Sequence, residues 1–209
     1  MTKKYELVLD DTISFWGWKL FRIRALISFG SVEAGDLGGY IEKEENLSHD
    51  GNAWVSGNAK VSGDAKVSGD AKVSGDAKVS GNAEVSGNAE VWGNAKVSSD
   101  AKVSGNAKVS GDAKVSGDAK VSGNAEVSGN AEVWGNAKVS ELGDLIVFKN
   151  HWSSGRHFTY TKSNKMWKVG CFYGTGQELI EKAYRDSEKS GNYYKAYVDF
   201  VENLEKLGD

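Results

Sequence analysis

The chain has 209 residues and a formal net charge of −3; that length allows one elongated domain with end pieces, or a solenoid and one small domain. The balanced charge lacks the basic excess expected of a nucleic-acid binder. One cysteine, Cys171, excludes an internal disulfide or a cysteine-cluster metal site, no stretch approaches the ~20 apolar residues of a membrane span, and nothing near the start resembles a signal peptide, so a cytoplasmic protein is expected.

Tyr5 to Leu9 and Trp18 to Ile27 alternate in polarity around a polar stretch, which predicts two paired strands. The second sets Phe21, Ile23, Ala25 and Ile27 on one side and Leu20, Arg22 and Arg24 on the other. Phe15, Trp16, Trp18 and Phe21 are residue types that build sugar or base platforms. Covering an apolar core and open strand edges is the simpler use for them at the end of a solenoid. Gly39 to Asp50 reads as two degenerate hexapeptides in phase with the regular repeats downstream, with Ile41 and Leu47 at the Ala position of those repeats and His49 at a Val position.

From Gly51 to Ser140 the chain is fifteen consecutive hexapeptides of the form G-[N/D]-A-[K/E]-V-S, without insertion. Ala and Val fall on one side of a short strand, Lys or Glu and Ser on the other. Gly and Asn or Asp supply a corner, because both tolerate the positive φ that a sharp turn needs. Strand and corner repeated at a fixed period of six make a parallel β-helix, three sides and 18 residues to the coil. Five coils at about 4.8 Å each give a rod on the order of 25 Å long. Its bore is filled by Ala and Val, so a ligand has to bind outside it.

Counting in eighteens assigns the outward residues to three faces. One stacks Trp54, Lys72, Glu90, Lys108 and Glu126. A second stacks Lys60, Lys78, Lys96 and Lys114 before Glu132, and a third Lys66, Glu84, Lys102, Lys120 and Lys138. The four-lysine column is a candidate anion-binding surface, although within the array Lys is balanced by Glu and Asp. Residues 57–98 recur as 99–140 with three differences, a unit of seven hexapeptides. Seven is not a multiple of three, so Trp92 and Trp134 land on different faces.

Glu141 to Ile146 is a last degenerate unit with Leu145 at the Val position. Beyond it, Asp144 to Lys149, His157 to Thr161 and Met166 to Phe172 read as strands, the last two as a hairpin over residues 162–165. Cys171 is expected to be buried in the third. Thr175-Gly176-Gln177-Glu178 is a capping box opening a helix to about Glu188. Ser190-Gly191-Asn192 is expected to break it before a second helix to about Leu207, striped with Tyr194, Tyr197, Val198, Val201 and Leu204. The expected fold is mainly β: an N-terminal β cap (1–38), a single-stranded parallel β-helix (39–146) and a C-terminal ββαα module (147–209).

The pattern of an aliphatic residue followed four places later by a small one, from Val55 and Ala59 to Val133 and Ala137, resembles that of the hexapeptide-repeat proteins. The resemblance implies a left-handed coil, a sense that periodicity alone does not give. Ala34-Gly35-Asp36-Leu37-Gly38-Gly39-Tyr40, with Asn46-Leu47-Ser48 after it, is similar to the lead-in of a group of bacterial and phage hexapeptide-array proteins, which implies a phage or prophage association.

Well-known hexapeptide-repeat enzymes are acyltransferases with a catalytic His near a loop extruded from a coil. Here no coil carries a loop, and no His lies between Gly51 and Ser140. Zinc-dependent relatives need three converging His, whereas the spacing of His49, His151 and His157 fits no such site. Arg156, His157 and Tyr160 form the one polar cluster that stands out in the tail. The expected function is therefore non-enzymatic: a rigid spacer or scaffold, without cofactor or metal, binding another macromolecule (a protein rather than a nucleic acid or membrane) through its end modules. The candidate surface is Arg156, His157, Tyr160, Lys60, Lys78, Lys96 and Lys114, and an oligomer is compatible with it. An acyltransferase-like enzyme dependent on His151 or His157 is the alternative.

Overall fold

The computed structural model describes residues 3–15 and 17–207; Trp16, one of the four aromatics that could form a platform, lies outside the described residues. Strands β1 (Tyr5–Phe15), β2 (Trp18–Ala25) and β3 (Leu37–Ile41) precede fifteen two-residue strands, β4 (Trp54–Val55) to β18 (Lys138–Val139), one for each hexapeptide. Every pairing among those fifteen is parallel and offset by 18 residues, and they stack on three faces. Together with β3 they make a parallel β-solenoid of about six turns. The columns of outward residues are those obtained by counting in eighteens, as in the stack of Lys60, Lys78, Lys96, Lys114 and Glu132.

Each strand is short because its corner follows at once. At Gly87 φ is +66°, and a Cβ there would stand 3.0 Å from the Gly105 nitrogen in the next coil. Glycine is therefore needed both for the turn and for the stacking. Inside, Ala and Val of the array are buried from solvent. At the corners Asn side chains ladder between coils, as in Asn88 Nδ2 donating to Asn106 Oδ1 at 3.0 Å and Asn106 Nδ2 to Asn124 Oδ1 at 3.1 Å.

The bonds that flank these strands run one way along the rod. The N–H groups of Asn58, Lys60 and Ser62 donate to the carbonyls of Gly75, Ala77 and Val79 one coil on, at 2.9, 2.9 and 3.0 Å. Carbonyls are thus left over at the N-terminal end and N–H groups at the C-terminal end, and each end is covered by the matching chemistry. At the first end the Lys4 ammonium donates to the carbonyls of Gly51 and Ala53 (3.2 and 2.9 Å), and the Asn46 amide to those of Gly63 and Ala65 (3.0 and 2.8 Å). At the other, Thr159 Oγ1 accepts from the Glu132 N–H (2.9 Å), Ser163 Oγ from that of Lys138 (2.8 Å), and Asp144 Oδ2 from those of Ser140 and Glu141 (2.6 and 3.0 Å).

The phase of the lead-in differs from expectation. Ile41 pairs with Val61 and Leu47 with Val67, offsets of twenty residues, so both occupy Val positions rather than Ala positions. The two extra residues lie in the corner before Trp54, and His49 is one of them rather than a Val-site residue. Its ring stacks on Tyr5 with centroids 4.4 Å apart, and its Nδ1 accepts from the Lys4 N–H at 3.2 Å. The insertion is thus the clip that holds β1 to the first coil.

Strands β1 and β2 pair antiparallel as expected, but the register slips between Val8 and Thr12. Ile23 and Ala25 are buried, Leu20 is buried despite its assignment to the Arg22 side, and Ile27 lies exposed beyond the strand.

The C-terminal sheet is a four-stranded antiparallel meander, β19 (Leu145–Lys149), β20 (His157–Thr161), β21 (Met166–Val169) and β22 (Phe172–Gly174). The expected third strand is split by a turn at Gly170 (φ +56°), which leaves Cys171 exposed rather than buried. The capping box forms: Thr175 Oγ1 accepts from the Glu178 N–H at 3.3 Å, and Glu178 Oε2 from the Thr175 N–H at 2.8 Å. Helix α1 (Gly176–Asp186) ends at Ser187, and α2 (Glu188–Leu207) runs straight through Ser190, Gly191 and Asn192. Gly191 packs where a Cβ would stand 2.2 Å from the Tyr184 ring. It serves helix contact, not helix breaking.

Candidate functional site

The face carrying the lysine column is an eight-stranded sheet running from β1 to the strand Glu132–Val133. Lys60, Lys78, Lys96 and Lys114 stand in direct register, a like-charge arrangement that costs stability in a sheet. The other faces intersperse Glu, though Lys102, Lys120 and Lys138 also stack in register, and form ion pairs such as Lys102–Glu84 at 3.1 Å. The column is moderated locally. The Phe15 ring lies 5.8 and 5.2 Å from the Lys60 and Lys78 ammonium groups, Lys60 donates to the Asn58 carbonyl at 3.0 Å, and Lys114 meets Glu132 at 2.7 Å. Asp76 and Asp112 line the same furrow.

At its C-terminal end the furrow opens, through Asp112 and Lys114, into a cleft of about 720 Å³ between the rod and the C-terminal sheet. Its floor is built by an alternation on β21. Trp167 turns into the module's own core, while Lys168 turns toward the rod and is 7% exposed. A buried ammonium requires partners. Lys168 has the Glu132 carboxylate at 3.4 Å, the Trp134 ring at 4.4 Å and the Gly170 carbonyl. Tyr173 donates to the Trp134 carbonyl at 3.2 Å, and burial pushes its phenol pKa up.

Arg156 and His157 stand on the rim of this cleft. Among the described residues neither the Arg156 guanidinium nor the His157 ring has a hydrogen-bonding or ion-pair partner in the protein. Cys171 lies on the same rim. Of the residues proposed from sequence, the fold therefore joins Arg156, His157 and Lys114 in one cleft, continuous with Lys96, Lys78 and Lys60.

Tyr160 does not belong to it. Its side chain is buried on the helix side of the sheet, where its hydroxyl donates to the Glu205 carboxylate; burial, then that carboxylate, push its pKa well up. His151 does not line this cleft either; it is packed edge-on against Trp152 and Tyr193 with Nδ1 3.4 Å from the Tyr197 hydroxyl. Glu132, Trp134, Lys168 and Tyr173 are the site residues that sequence reasoning misses. The available signal is Trp134 standing where the repeat has Ser, in the last coil before the module.

Among the described residues no group of three or more His, Cys, Asp or Glu is placed to hold a metal ion, and no helix is long and apolar enough to cross a membrane. The arrangement brings two side chains without partners, Arg156 and His157, to one cleft with an indole and a phenol. No family model and no curated protein matches the chain.

Proposed function

We propose that this protein is a non-enzymatic spacer or scaffold, a left-handed β-helix of the hexapeptide-repeat kind whose end modules bind another macromolecule, a protein, in the cytoplasm. The C-terminal cleft, with Arg156 and His157 on its rim and the lysine furrow leading from it, is the contact surface. The observation that carries this reading is the pairing of a loopless rod, closed inside by Ala and Val, with an end module that leaves those two side chains unpartnered. A phage or prophage accessory role follows from the lead-in resemblance alone.

The test is to recover partners with three tagged chains: the native one, one whose Glu and Trp departures within the array are returned to the G-N-A-K-V-S consensus outside the docked last coil, and Arg156→Ala/His157→Ala. The reading expects the same partner on the first two and its loss from the third. Loss from the consensus chain, with the double variant unaffected, rules it out. Acyl-CoA turnover abolished by changing His151 or His157 would establish an acyltransferase-like enzyme instead.

A further inference from the structure

The C-terminal module touches only a small part of the rod, and that part exists twice. Residues 107–140 are identical to 65–98. The module rests on Glu132, Trp134, Asn136 and Lys138, whose counterparts are Glu90, Trp92, Asn94 and Lys96. Gly135 is also needed, since a Cβ there would stand 2.0 Å from the Tyr173 hydroxyl, and its counterpart Gly93 is glycine too. Lys114, which pairs with Glu132 from the coil below, corresponds to Lys72.

The first copy nevertheless carries no module. Trp92 is 36% exposed, much as Trp134 is at 37%, and apart from Trp54 the other outward positions of its wall are Lys, Glu and Ser. It cannot receive a second module as the rod stands. The N–H groups of Glu90 and Lys96 already donate to Ala107 and Ala113 at 2.9 Å each, whereas at the occupied copy the equivalent groups are what Thr159 and Ser163 accept. The surface becomes competent only when it is the last coil.

We infer that the surface around Trp92 is a latent docking site for this chain's own C-terminal module, so that the rod is adjustable in length by the 42-residue unit. Each unit is seven hexapeptides and a coil is three sides, so removing or adding one moves the module by two and one third coils along the rod. It also turns the module by one third of a revolution relative to the N-terminal cap. This concerns how the two ends are set and holds whatever they bind.

Two chains test it, one lacking 99–140 and one with a third copy of 99–140 inserted after Ser140. In the shortened chain the module is expected to dock on Trp92, so Trp92→Ser lowers the urea midpoint there as much as Trp134→Ser does in the native chain, where Trp92→Ser has no effect. In the lengthened chain, which cannot fail for want of core, Trp134→Ser becomes neutral and the third Trp takes over its effect. The inference is overturned if Trp134→Ser still lowers the midpoint of the lengthened chain. A module released by limited proteolysis from both altered chains but not from the native one also overturns it.

Discussion

At the scale of single residues the repeat is most informative where it is broken. Ser99 sits at a corner where the array otherwise uses Gly, and it holds φ +61°. A left-handed conformation costs a residue with a Cβ about 1–2 kcal/mol. Ser99→Gly is therefore expected to stabilise the protein by about 1 kcal/mol, read as a higher urea midpoint; a lower midpoint would show that the hydroxyl compensates. Lys4 is the buried cation of the N-terminal end, and burial lowers its pKa to about 8 from 10.5. Between those values the unfolded chain binds the extra proton, so stability rises with pH, by up to about 1.4 kcal/mol per pH unit. Tyr5 acts oppositely above its ordinary pKa of 10.0, because burial and then Glu44 raise it in the folded state. The rise is thus expected from about pH 8 to about pH 10, and a Lys4→Met chain should lose the slope. Cys171 is exposed, so a thiol reagent should modify it in the native protein as fast as in urea; protection in the native state would restore the buried-strand assignment.

At the scale of elements, what is legible in the sequence depends on whether the cause is local. Period two fixes which side of each strand faces in, and period six fixes the corner, so the three columns follow by counting. The capping box at Thr175 is likewise a local device and forms as expected. The lead-in is misphased by counting because Gly39 restarts the count correctly only if no residue is inserted, and His49-Asp50 is an insertion without a composition signal. Gly191 looks like a breaker in sequence because the cause of its presence, the Tyr184 ring, lies on another helix. The docking of the module is illegible for the same reason: nothing in the sequence places Lys168 over Trp134. Replacing Lys168 by Met should test that contact, since it strands the Glu132 carboxylate with Lys114 alone. A loss of about 1–3 kcal/mol in module stability is expected, measured as earlier proteolytic release of residues after Ser140. Unchanged release would mean that the hydroxyl caps alone hold the module.

At the scale of the whole molecule the rod and its ends divide the work. The rod wall is made of near-identical coils whose strand-flanking bonds leave carbonyls at one end and N–H groups at the other, and the side chains that cover the two ends are of opposite hydrogen-bonding kind. The lysine column and the cleft rim are both visible in the sequence; their continuity along one sheet requires the fold. The unpartnered Arg156 and His157 side chains thus lie where the C-terminal module meets the last coil. A native mass spectrum of the tagged protein, recovered gently from its host lysate, tests the central claim most directly. The account predicts a monomer or dimer carrying a bound macromolecule that Arg156→Ala/His157→Ala fails to retain, and a trimer carrying a small-molecule adduct would contradict it.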